Sequence, residues 1–411
     1  MNEQLTMPAI GCGVDEVSVD QLDQSFPLNT DPTIGVELEL IIVDDTTEQP
    51  VPLYEEIYAA LPPEIQAQTQ GELYACQIEY ASKPQKTLRS LRDELEQFVT
   101  ATDRVARRFN ARLLWSGNHP AWQYDASMVR DCDRSRLIQQ RFGDLMPQLL
   151  TCGIHFHVAV SRDKAIQVVD GLQRFLPLLV ALAANSPLAN GDLSGCHCHR
   201  AAIWANEFPV CGVSQQFGDW SGFSRHISDL LDAGLIEKQK DLYYFVRPTR
   251  YGTVEVRCCD VPMNVDQIIA LMALVQLLVV GLQQELPSLT VGREFLTMEL
   301  GHAITNGVEA QLTDHNDRRS SAIEWVNRLA YELDATARHL GIDAALALAP
   351  SILAENGSVR QLREHAALQA TFLASAERKS WHGNRILVAA AATAASIGLM
   401  GLLLVYRSLM A

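Results

Sequence analysis

Polar or ionisable residues two positions apart recur in four otherwise apolar stretches. Glu37 and Glu39 lie in GVELELIIVD, Gln77 and Glu79 in ACQIEYAS, His155 and His157 in CGIHFHVAV, and Thr253, Glu255 and Arg257 in GTVEVRCC. In a β-strand, alternate side chains share a face. Each stretch therefore turns its polar residues one way and its apolar residues, such as Val36, Leu38, Ile78, Phe156, Val158, Val254 and Val256, the other. One such strand is an ordinary sheet strand with a solvated face. Four predict a sheet with one packed face and one face lining a polar cavity.

Glu37, Glu39, Glu79 and Glu255 on such a face repel one another, and burial raises the cost of their charge. Hard divalent cations relieve this, and carboxylate oxygens suit Mg2+ or Mn2+ better than zinc. Mg2+ usually takes one or two carboxylates and completes its shell with water and phosphate, so this wall implies roughly two or three ions around a polyphosphate. Arg200, Arg247, Arg250 and Arg257 supply the planar, multi-donor heads that suit phosphate and carboxylate. The chemistry predicted is nucleotide-dependent phosphoryl transfer, driven by positioning and charge neutralisation. His155 and His157 fit either contact with metal or substrate, or a structural role. A GxxxxGK[ST] loop, a GxGxxG turn after a strand and a nucleophile elbow are all absent from the sequence.

These residues need a scaffold. The 411 residues, 48% hydrophobic and 20% charged, suffice for a large core in one domain or two intimate halves. Apolar spacing predicts an amphipathic helix over Thr87–Asn110, another over Lys164–Ala184, and strands at ELYACQIEYAS, ARLLWSGNHP, LLTCGIHFHVAVS, DLYYFVRP and YGTVEVRCCDV. A helix over Asp266–Glu285 is apolar nearly all round and reads as a buried core helix. Long helices between hairpin-like strands predict an α+β protein with a mainly antiparallel sheet.

The net charge of −16, with no basic run, excludes a nucleic-acid binder. Nine cysteines and polar, acidic residues 1–30 without a signal peptide place the catalytic part in the cytoplasm with free thiols. The densest cluster, Cys196–His199 (CHCH), lacks the ligand spacing of a zinc site. Residues 386–406 carry no charge and are bracketed by Arg385 and Arg407. As a helix they would span about 32 Å, close to a bilayer core of about 30 Å. Arg378, Lys379 and Arg385 put the preceding side on the cytoplasmic, inner face of a membrane. An alanine-rich helix docked on protein is the alternative to this tether. Ala395, Gly398 and Gly401 would suit close helix packing in a homodimer.

Taken in order, GVELELIIVD, QIEYASKP, SGNHP, CGIHFHVAV, LAANSP, GDLSGCHCHRAAIW and VRPTRYGTVEVRCCDV resemble the glutamate–cysteine ligase type 2 family of ATP-dependent carboxylate–amine ligases. The resemblance runs from about Thr33 to Glu285. It implies a glutamine synthetase-like catalytic fold, a curved, mainly antiparallel sheet with flanking helices, here followed by a C-terminal hydrophobic helix. It covers the ligase domain at 31–376; the loose leader at 1–30 and the transmembrane helix at 386–406 are read from composition, and the C-terminal apolar segment is itself a departure from the family core. It implies ATP with Mg2+ or Mn2+, metal ligands at Glu37, Glu39, Glu79 and Glu255, and catalytic roles for Glu255 and Arg257. It further implies nucleotide or substrate contacts at His155, His157, Arg200, Arg247 and Arg250. The reaction implied joins the γ-carboxylate of L-glutamate to an amine, L-cysteine first, through an acyl phosphate. The sequence departs from the family at Leu38, where many relatives carry a further glutamate, and in RPTRYG, one residue shorter than the usual turn. A metal-dependent hydrolase on the same wall, or a non-catalytic membrane-tethered relative, are the alternatives.

Overall fold

In a computed structural model, which describes residues 22–284, 286 and 291–380, the alternating stretches become strands of one seven-stranded sheet. Its members are β1 (Ile34–Asp44), β2 (Thr69–Gly71), β3 (Gln77–Ala81), β4 (Ala111–Leu114), β5 (Gly153–Ala159), β6 (Val246–Pro248) and β7 (Thr253–Asp260). They lie in the order β6-β7-β5-β1-β3-β2, with β4 also on β1, and every pairing is antiparallel. β1 is the axis. β5 pairs with its first half, β4 with its last four residues, and β3 along the opposite edge.

The register brings the polar pairs together. Glu37 stands opposite His155, Glu39 opposite Glu79, His157 opposite Glu255, and Glu255 opposite Arg247. Directly opposed residues share a face, so these side chains form one polar wall. The register shifts between Val256 and Cys259, a bulge just beyond Glu255 that contains Arg257 and Cys258.

The other face is closed by α1 (Leu88–Ala106), α2 (Ala165–Leu172), α3 (Leu176–Ala183) and a further helix, Val265–Gln284. Thr87 caps α1 by accepting the Ser90 N–H, and Leu91, Leu95, Phe98 and Val105 turn inward. Phe98 stacks on Tyr80 of β3, ring centroids 4.1 Å apart. Val265–Gln284 is long and apolar enough to cross a bilayer, yet it lies buried in the core, as its sequence predicts.

Some expectations need correction. The strand expected from Glu72 begins only at Gln77, because Glu72–Cys76 turn beneath the wall. DLYYFVRP divides: Tyr243–Tyr244 pair in parallel with Cys211–Gly212, apart from β6. The described end of the expected loose leader is docked. Leu22 and Phe26 are buried in the core, and Phe26 meets Trp220 edge-on. Residues 386–406 lie outside the described residues.

Candidate active site

The wall is built from β1, β3, β5, β6 and β7, whose pleat fixes which side chains meet. Gly35, two residues before Glu37, adds no side chain to it. His155 Nδ1 donates to Glu37 Oε2 at 2.7 Å, and its Nε2 lies 3.7 Å from Glu39 Oε1. Glu39 is fixed by the Gly153 N–H, which donates to Oε2 at 2.6 Å. His157 Nε2 lies 3.5 Å from Glu37 Oε1 and 4.0 Å from Glu255 Oε1. Glu255 is 1% exposed, and both of its oxygens are engaged: Arg247 Nε donates to Oε2 at 2.7 Å and Arg257 Nη1 donates to Oε1.

These contacts set the charge states. Burial works to neutralise Glu37, but His155 and His157 outweigh it and hold its carboxyl well below the usual range. Burial acts likewise on Glu255, where Arg247 and Arg257 prevail and the carboxylate stays ionised. Burial disfavours an imidazolium at His157, yet Glu37 and Glu255 raise its pKa above the ordinary value. Glu79 goes the other way. Burial and the neighbouring Glu72 raise it well above the carboxylate range, while Arg134, 3.0 Å from Glu72, keeps Glu72 ionised. Burial and the charge on Glu72 thus favour the protonated form of Glu79 beside an ionised Glu72.

Eight of the predicted site residues therefore converge: Glu37, Glu39, Glu79, His155, His157, Arg247, Glu255 and Arg257. Two do not join the cluster. Arg250 sits on the β6–β7 turn, donates to the Tyr251 hydroxyl at 2.9 Å and stacks on that ring. Arg200 is buried beside the wall, but its guanidinium is spent on the bulge, donating to the carbonyls of Arg257, Cys258 and Cys259. Glycine at 153 makes this brace fit, since a Cβ there would meet Arg200 Nη2 at 2.2 Å. Gln77 lies on the wall face but is pinned between the Tyr74 N–H and the Thr151 carbonyl. Glu72, Arg134 and Thr249 escaped the sequence reading. Glu72 fell within an expected strand, on the face away from Glu79, but lies in the turn before β3; Thr249 follows β6 and Arg134 opens a helix, where no alternation marks a face.

Electrostatic repulsion among unpaired glutamates suggested several metal ions. In the structure, arginine and histidine do much of that compensation. One donor set still fits a divalent ion: Glu37, His157 and Glu255 each offer a ligand atom within 4.8 Å of the others. His157 Nε2 is buried without a hydrogen-bond partner, as an atom awaiting a cation would be. Two carboxylates and an imidazole suit Mn2+ and accommodate Mg2+. The CHCH segment carries no comparable set among the described residues. His197 Nδ1 is 2.9 Å from Ser358 Oγ, and Cys198 is buried.

The family model for glutamate-cysteine ligase family 2 (GCS2) matches residues 33–389. The chain belongs to this family. Glutamate-cysteine ligase family 2 makes it an ATP-dependent ligase, and its relatives agree. A Gloeobacter violaceus protein named "Putative glutamate--cysteine ligase 2" is 30% identical, with 82% of this chain and 93% of the relative covered. One from Mycolicibacterium vanbaalenii, "Putative glutamate--cysteine ligase 2-2", is 32% identical, with 81% and 93% covered. Among solved structures, the glutamate–cysteine ligase of Francisella tularensis in complex with AMP superposes with a TM-score of 0.61 at 12% identity, covering 83% of this chain and 86% of that one. A bifunctional glutathione synthetase from Pasteurella multocida gives 0.57 at 13%, covering 84% and 51%. At such identities these two structures speak to the fold, which is the α+β ligase fold expected for the family.

Proposed function

We propose that the protein activates the γ-carboxylate of L-glutamate with ATP and joins it to an amine, L-cysteine first among candidates, releasing ADP and phosphate. The observation that carries this reading is the pairing of Arg247 and Arg257 on Glu255 beside Glu37 and His157. It places fixed positive charge next to a divalent-ion donor set on one sheltered sheet face. That the Francisella neighbour is in complex with AMP supports a nucleotide among the substrates.

Two anions must meet for a carboxylate to attack a triphosphate. A divalent ion held by Glu37, His157 and Glu255 would supply charge neutralisation between them. Arg257, its Nη1 anchored on Glu255, keeps other donors for the transferring phosphoryl group, and Arg247 holds Glu255 in place for this work. Burial and Glu72 favour a neutral Glu79, which lowers the negative charge on the wall. Transfer gives an acyl phosphate. The amine nitrogen then attacks the acyl carbon, the C–O bond to phosphate breaks, and the amide forms as the amine loses a proton. Glu39, held by the Gly153 N–H and facing His155, completes the acidic rim.

Incubating purified protein with ATP, Mg2+ or Mn2+, L-glutamate and a panel of amines tests the proposal. ADP release that requires both glutamate and an amine is expected. Release of phosphate that is indifferent to every amine would instead point to hydrolysis.

A further inference from the structure

The ring of His157 is engaged on both edges. Nε2 faces Glu37 and Glu255 without a hydrogen-bond partner. Nδ1, on the opposite edge, lies 3.0 Å from Thr253 Oγ1. Thr253 is two residues before Glu255 on β7, so its hydroxyl rises on the same face and reaches the ring from behind. Thr253 Oγ1 is in turn 2.7 Å from Thr249 Oγ1 across the β6–β7 hairpin. Thr249 Oγ1 also accepts the Tyr251 N–H at 3.3 Å, which fixes it in the turn.

The direction of this short chain decides what His157 can do. If Thr253 donated to Nδ1, the ring proton would sit on Nε2, and no lone pair would face the carboxylates. If Thr253 accepts from Nδ1–H, the neutral ring keeps its Nε2 lone pair for a cation, which would take the place of the proton that Glu37 and Glu255 favour there in the metal-free protein. Thr249 is placed to take the Thr253 hydroxyl hydrogen, which leaves the Thr253 lone pairs for the ring N–H.

We propose that Thr253 is a positioning residue: it accepts the His157 Nδ1–H, passes its own hydrogen to Thr249, and so fixes the tautomer whose Nε2 lone pair faces a divalent cation between Glu37 and Glu255. This rests on the proposed function, in which His157 is a metal ligand. Ligating histidines use their second N–H in this way, and losing the outer partner typically weakens metal binding by about 10–100-fold.

The test is direct Mn2+ binding to the full-length protein, with the free ion read by electron paramagnetic resonance. Thr253→Val keeps the shape and strand preference of threonine but removes the hydroxyl. It should weaken Mn2+ binding by at least about tenfold, while Thr253→Ser stays within about threefold of the parent. Thermal melts of the metal-free proteins should show the valine variant folded; if it fails to fold, Thr253→Ala makes the same comparison. Unchanged affinity in the valine variant, or an equal loss in the serine variant, overturns the role of Thr253 alone. A parent protein that binds no Mn2+ overturns the metal reading of the site and this inference with it.

Discussion

Arg247 Nε and Glu255 Oε2 are 2.7 Å apart across the β6–β7 hairpin, and Arg257 takes the other Glu255 oxygen. One carboxylate thus organises two guanidinium groups. Glu255→Gln leaves both arginines short of their counter-charge. We expect a loss of about 2–3 kcal/mol in urea unfolding, less than for a fully buried pair because Arg247 and Arg257 keep partial access to water. ADP release should fall at least about 100-fold, the usual scale for removing one preorganised electrostatic group.

Glu79 and Glu37 make opposite pH predictions for the metal-free protein. Glu37 is depressed in the folded state, so its contribution is present above the unfolded pKa of about 4.5 and is lost as pH falls towards the folded value. Glu79 is raised, so the folded state binds a proton that the unfolded state has released, and its contribution to stability declines as pH rises above that same point. Glu79→Gln, which keeps a donor for Glu72, should therefore be more stable than the parent at neutral pH, with the gain fading in acid. Glu37→Gln should be less stable at neutral pH. Urea titrations in chelator at several pH values read both signs.

Gly153→Ala should disturb the wall from its end. The added Cβ would meet Arg200 Nη2 at 2.2 Å, pushing the guanidinium off the bulge carbonyls. A loss of about 1–3 kcal/mol is expected for such overpacking, measured by denaturant unfolding. Arg200→Lys, with one ammonium in place of a fork, should lower turnover without changing the amine preferred.

The cysteines give a check on the fold. Cys76, Cys152, Cys198, Cys211, Cys258 and Cys259 are buried, and burial pushes Cys76 and Cys211 up to about 12. Alkylation of native protein near neutral pH should mark Cys132 and Cys196 among the described residues and reach these six only after denaturation. Mass spectrometry of peptides reads the pattern.

The polar face was legible because the pleat forces residues two apart to one side. Glu37 with Glu39, His155 with His157, and Glu255 with Arg257 needed no further information. Cross-strand register is set by the whole sheet, so the sequence could not say that Arg247 would meet Glu255 and relieve the charge that seemed to demand several ions. Nor could it say that the bulge before Cys259 would claim the Arg200 guanidinium. Glu72 was hidden because a strand running from it would turn it away from Glu79, whereas the turn before Gln77 brings it round. Arg134 was hidden because an exposed helix start carries no periodicity that points at a site.

The central claim is that a glutamate carboxylate becomes an acyl phosphate at this wall. Glutamate labelled with heavy oxygen in its γ-carboxylate, turned over with ATP and the preferred amine, tests it most directly. One labelled oxygen should appear in the released phosphate, together with a γ-glutamyl amide. Phosphate free of label, formed while ADP accumulates, would contradict the account.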